Sequence, residues 1–123
     1  MSCLFDSLSK YLKEDSKIIR CKVCKYLEQN NSIMEDIETK IILNMDRDNY
    51  IESMTDENTW GGGIEIKAAC NIWNIKIKVI YISNISKSYT IEFIPSQRNK
   101  QNRKKNRVIK LYYDGVHYKS TLI

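Results

Sequence analysis

A chain of 123 residues with a formal net charge of +5 has room for one domain and one hydrophobic core. Its 42% hydrophobic and 28% charged residues are ordinary for a globular protein and exclude collagen-like, coiled-coil and wholly disordered chains. The charge is concentrated in one place: the run Gln97–Arg107 holds six cations and no acid, and the rest of the chain is close to neutral.

The first half has helical periodicity. Ser2 or Cys3 to Tyr11 carries Leu4, Leu8 and Tyr11 or Leu12 on one face, and Asp15 or Ser16 is placed to cap a second helix that runs to Gln29 through Ile19, Val23, Tyr26 and Leu27. Residues 32–44 and 46–55 predict two weaker helices, the second with Tyr50, Ile51 and Met54. Trp60-Gly61-Gly62-Gly63 breaks the pattern, and Ile64 to Trp73 then reads as a buried helix. From Ile75 the period shortens. Ile75–Ile82 has the apolar continuity of a central strand, Ser88–Ile94 and Val108–Tyr113 are rich in β-branched and aromatic residues, and Asp114-Gly115 is a turn leading into a last strand from His117 to Leu122. Helices first and strands second predict an α+β domain over residues 1–123, with helices on a small, mostly antiparallel sheet. Residues 97–107 are expected to form a flexible basic loop between the last two long strands.

No segment has the 18 or so uninterrupted apolar residues of a membrane span, because Glu65, Lys67, Lys76 and Lys78 interrupt the most apolar stretch. The start MSCLFDSLSKYL lacks the basic and apolar blocks of a secretory signal, so the four cysteines are expected to be free thiols in the cytoplasm. No cofactor or metal is implied. Cys21-Lys22-Val23-Cys24 is a CxxC, but it lies within a predicted helix without a second pair, and packing explains it better than the four ligands zinc needs. The basic run lacks aromatics to stack on bases, so a solvated loop is the simpler reading than a contact with nucleic acid or an acidic partner.

Chemistry-bearing residues are scarce. His117 is the single histidine, and Cys3 opens the first predicted helix. A thiol at a helix start meets the partial positive charge of unpaired N–H groups, which favours the thiolate, and a histidine beside it would take the proton. Taken alone, the two read more simply as a small buried hydrophobe and a surface strand residue. Trp60 reads as a plug before the glycine turn or a substrate contact, and Glu65 as a brace for the helix after the glycines or a solvated first-turn acid.

The order of short motifs narrows this. Cys3-Leu4-Phe5-Asp6-Ser7-Leu8, Ile19-Arg20, Tyr26-Leu27-Glu28-Gln29-Asn30, Tyr50-Ile51 with Met54, Trp60-Gly61-Gly62 with Glu65-Ile66 and Ala68, and Ile109, Leu111, Tyr113 before His117-Tyr118 resemble the ovarian-tumour (OTU) family of cysteine proteases over nearly the whole chain. The resemblance implies a papain-like OTU fold and hydrolysis of isopeptide bonds after the carboxyl terminus of ubiquitin or a ubiquitin-like modifier. It implies Cys3 as nucleophile and His117 as base, with Trp60, Gly61, Gly62 and Tyr118 at the substrate, a monomer, and ubiquitin conjugates as partners. The Trp60–Gly63 turn is then expected near a narrow channel to Cys3, with Asp56 or Glu57 offering charge to the modifier's tail. Two departures stand out. The family's Asp-Gly-x before the nucleophile is absent ahead of Cys3, which implies a reading frame starting upstream of Met1 or a decayed domain. The Asp or Asn that many members place two residues after the histidine is Lys119 here. These departures keep open a ubiquitin-binding module without catalysis, and beyond it a module that binds through the basic loop.

Overall fold

A computed structural model describes residues 3–29, 39–46, 48–82, 89–96 and 107–121. Among the described residues, five helices precede and flank a four-stranded sheet: α1 (Cys3–Leu12), α2 (Ser16–Gln29), α3 (Thr39–Asp46), α4 (Tyr50–Thr55), α5 (Gly63–Trp73), then β1 (Ile75–Tyr81), β2 (Tyr89–Phe93), β3 (Arg107–Tyr113) and β4 (Tyr118–Lys119). No helix among the described residues is long and apolar enough to cross a membrane. The expected basic loop lies outside the described residues except for Arg107, which opens β3 and donates to the Tyr11 carbonyl at 2.7 Å.

Local chemistry sets the helix boundaries. The Asp15 carboxylate accepts the Lys17 N–H at 2.8 Å and its carbonyl accepts the Ile19 N–H, so Asp15 is the cap that starts α2. Asn74 ends α5 in the left-handed conformation, φ 53°, which asparagine tolerates better than most residues, and the chain passes directly into β1. At the start of α5 the Glu65 carboxylate accepts the Gly62 N–H at 2.7 Å, one half of a capping box.

The strand order is β2-β1-β3-β4. Two of the three pairings, β1–β2 and β3–β4, are antiparallel as expected, but the seven-residue pairing of β1 with β3 is parallel. The sheet is therefore mixed, and β2 and β3 do not pair as a hairpin, because β1 lies between them. Ile75, Ile77 and Val79 alternate with Lys76 and Lys78 along β1, and Ile77 and Val79 lie in register with Ile109 and Leu111 of β3. These four side chains, all buried, join Ile66, Ala69 and Cys70 of α5 in one core with Leu4, Phe5 and Leu8 of α1 and Ile19, Val23 and Leu27 of α2. Burying a Leu, Ile or Phe stabilises by about 1.5–3 kcal/mol each, so this core fixes α1 against the sheet. Tyr11 adds a polar tie: its hydroxyl lies 2.7 Å from the Lys110 carbonyl and 2.9 Å from that of Ser120.

Candidate active site

Cys3 is the first residue of α1, half-buried, and its carbonyl accepts a hydrogen bond from the Ser7 hydroxyl at 2.7 Å. The adjacent residues Leu4 and Phe5 are fully buried, so the start of the helix cannot fray without exposing the core. Across from it, the Tyr118 backbone N–H donates to Cys3 Sγ at 3.5 Å. The two residues share an open groove of about 280 Å³ that also touches Asp6, Lys10 and Lys119. Tyr118 is held by stacking on Tyr113, with ring centroids 4.4 Å apart, and burial pushes its phenol up to about 12, so it stays protonated at any working pH.

His117 stands at the end of the turn that joins β3 to β4. Gly115 takes φ 99° there, a conformation other residues resist, which is the physical content of the Asp114-Gly115 signal. The Asp114 carboxylate accepts the backbone N–H of His117 at 2.7 Å and of Val116 at 2.8 Å, while the Asp114 N–H donates to the His117 carbonyl at 3.2 Å. The hydrogen bonds from His117 and Val116 hold the Asp114 carboxyl below the usual carboxylate range. The imidazole itself is exposed and meets the indole of Trp60, ring centroids 5.5 Å apart with planes inclined by 30°.

Trp60 is brought there by the core. Arg20 is only 4% exposed as a residue; its guanidinium donates to the carbonyls of Met54 (2.8 Å), Thr59 (2.9 Å) and Glu57 (3.3 Å) and lies 4.2 Å over the Phe5 ring. One planar fork thus holds the whole turn from α4 to Trp60, a geometry a lysine cannot supply. Gly61 then crosses α1 so closely that a Cβ there would lie 2.8 Å from Leu4 Cδ2. Glu65 is 1% exposed and accepts from the Tyr50 hydroxyl as well as from Gly62; burial nonetheless raises its carboxyl above the ordinary value.

A family model described as OTU-like cysteine protease matches residues 2–118. The chain belongs to that family. Three solved structures share the fold: an ovarian tumor domain in complex with ubiquitin (23% identity, TM-score 0.69, 97% of this chain and 62% of that one), the viral OTU domain protease from Dera Ghazi Khan virus (18%, 0.69, 95% and 71%), and an OTU deubiquitinase from Wolbachia pipientis wMel bound to ubiquitin (16%, 0.64, 98% and 89%). This chain spans 62% of the length of the first of them. No curated protein sequence matches.

In this OTU domain the residues singled out in the sequence fall into two groups. Cys3 and Tyr118 meet directly, and Trp60 meets His117. Gly61 and Gly62 serve the fold, the first by its close crossing over α1 and the second through its N–H to Glu65; a Cβ on Gly62 would meet nothing within 4 Å. Asp56 and Glu57 do not share the groove of Cys3: Glu57 pairs with Lys17 at 3.7 Å and lines a separate groove with Cys21. In the CxxC, Cys24 is buried in the core and Cys21 is exposed, so the two sulfurs face different surroundings. Two contributors escaped the sequence reading in these roles. Arg20 was seen only within a motif, and Asp114 only as a turn former, although an aspartate three residues before a candidate base is the signal that would have found it.

Proposed function

We propose that this OTU domain is a thiol isopeptidase that releases ubiquitin or a ubiquitin-like modifier from its conjugates, with Cys3 as nucleophile and His117 as general base and acid. The observation that carries the reading is the hydrogen bond from the Tyr118 N–H to Cys3 Sγ at 3.5 Å, which joins the first residue of α1 to the strand residue that follows the chain's only histidine. The Cys3 thiolate attacks the carbonyl carbon of the isopeptide bond. The imidazolium passes its proton to the departing lysine amine, leaving a thioester, and His117 then deprotonates the water that hydrolyses it. N–H groups at the start of α1 face the developing oxyanion. Gly62, with open space beside it, is the member of the glycine cluster with room for a substrate backbone. The exposed Tyr89 and Ile91 of β2, with the exposed Ile94 just after it, give this edge of the sheet apolar surface suited to a protein partner, and the ubiquitin in two structural neighbours supports that choice. Four free cysteines favour a reducing compartment such as the cytoplasm.

A second reading, a modifier-binding module without turnover, is favoured by one residue: Lys119 stands where an acceptor for the imidazole is usual. Ubiquitin with an electrophilic carboxyl terminus separates the two. The isopeptidase forms a covalent adduct that Cys3→Ala abolishes, and the module binds ubiquitin without any adduct.

A further inference from the structure

The Lys119 side chain carries only N–H donors, so it cannot accept a hydrogen bond from an imidazole N–H as an Asp or Asn side chain would. Something else has to limit the rotation of the His117 ring about its side-chain bonds. Its backbone is already fixed on both sides by Asp114. The ring lies beyond those backbone bonds, and among the described residues it meets the indole of Trp60 at 5.5 Å, within the range of aromatic pairs that attract beyond simple burial.

We propose that Trp60 is the positioning residue for the His117 imidazole, doing by ring contact what a polar acceptor at position 119 would do by hydrogen bonding. The inference rests on the reading of Cys3 and His117 as nucleophile and base. Trp60 is well placed for this because both of its flanks are immobile. On one side Arg20 holds the carbonyls of Met54, Glu57 and Thr59; on the other Gly61 is wedged against Leu4 and Phe5. Those two residues belong to the same helix that begins with Cys3. The indole is therefore referenced to the nucleophile's own helix, and the imidazole is referenced to the indole. The arrangement also distinguishes this role from substrate contact. A substrate-contact residue governs how tightly the modifier is held, whereas a positioning residue governs how fast the held complex reacts.

The single histidine makes the test direct. In proton NMR spectra of the full chain, the imidazole C2–H resonance is expected to be displaced by the indole ring current, to return to the position of an exposed histidine in Trp60→Ala, and to keep part of its displacement in Trp60→Phe. With electrophilic ubiquitin in excess, the maximal rate of adduct formation at Cys3 should fall about 10- to 100-fold in Trp60→Ala, with the half-saturating concentration unchanged and most of the rate restored in Trp60→Phe. An unmoved resonance in Trp60→Ala overturns the proposal, and so does a change confined to the half-saturating concentration. Trp60→Phe, which retains an aromatic filler, guards against a folding defect, and equal rates in the Ala and Phe variants also overturn the proposal. If the wild-type chain forms no adduct, the isopeptidase reading itself fails and the positioning role falls with it, an outcome seen before any variant is compared.

Discussion

Replacing Gly61 with Ala is the sharpest probe of how the core reaches the site. The new Cβ would lie 2.8 Å from Leu4 Cδ2 and 3.1 Å from Phe5 Cε2, where carbon atoms prefer about 3.5–4.0 Å. Leu4 and Phe5 are 1% and 0% exposed and have no free space to move into. Overpacking of this kind costs about 1–3 kcal/mol, offset by about 0.4–1 kcal/mol because alanine stiffens the unfolded chain. The expected net loss is about 1–2 kcal/mol, a fall in melting temperature of roughly 3–8 °C for a domain of this size. Gly62→Ala is the control. No atom lies within 4 Å of its Cβ, and its φ of −152° is open to any residue, so the loss should stay within about 1 kcal/mol, the weaker cap included. Urea unfolding followed by circular dichroism measures both, with unchanged slopes showing that midpoints report stability. If the clash is the cause, Gly61→Ala combined with Leu4→Ala loses less than the sum of the single losses. A Gly61→Ala chain as stable as the wild type, or a Gly62→Ala chain that loses as much, refutes the close crossing as the reason for the glycine.

Arg20→Met should destabilise by at least about 2 kcal/mol, because it strips three carbonyls of a charged donor, and Arg20→Lys should restore only part of the loss; equal thermal stability of the Lys variant and the wild type counts against the planar fork. Burial pushes the Cys24 thiol up to about 11 and the Cys70 thiol up to about 12, so at pH 8 about 0.1% and 0.01% of each is thiolate. Iodoacetamide followed by peptide mass mapping should therefore label Cys3 and Cys21 well before either, and rapid labelling of Cys70 in the folded chain contradicts the core. Burial raises the Glu65 carboxyl in the folded state, so its contribution to stability is fully present below the ordinary carboxyl value and is lost as pH rises through the folded value. Urea midpoints for wild type and Glu65→Gln should accordingly diverge with rising pH in favour of Gln, and a constant difference or the reverse slope contradicts this.

Much of the architecture was legible because apolar period is a direct imprint of burial. Leu4 and Leu8, Ile19 and Val23, and Ile75, Ile77 and Val79 mark the faces that meet the core, and the ends of α1, α2 and β1 agree with the structure to within a residue or two, whereas the helix expected over 46–55 starts only at Tyr50, the strand expected from His117 is Tyr118–Lys119, and the start of the helix expected over 32–44 lies outside the described residues. The parallel pairing of β1 with β3 was not legible. A strand's own pattern states which face is buried and says nothing about which neighbour it pairs with or in which direction. Arg20 was hidden for a related reason: on a helix wheel it reads as one more solvated cation, and only the turn from Met54 to Thr59 folding over it supplies the carbonyls that permit burial. The meeting of Cys3 with Tyr118 spans 115 positions and reached the sequence reading through family resemblance, since no local pattern encodes a contact between a helix start and a distant strand.

The elements around Cys3 are unequally secured, and this bears on how the domain tolerates change. The α1 side rests on fully buried side chains: Leu4, Phe5 and Leu8 below, Gly61 across, and Arg20 against Phe5. The His117 side rests on less. β4 contributes a two-residue pairing with β3, the turn before it is closed by one exposed carboxylate, and Tyr11 ties its far end through a single hydroxyl. Segments held mainly by exposed hydrogen bonds open at lower free energy than those held by core burial. The His117 turn is thus the softer half of the site, and its Trp60 contact links it to the harder half. Substitutions in the 54–61 turn should act on both halves together, because the residues that anchor Trp60 are the same ones that pack α1.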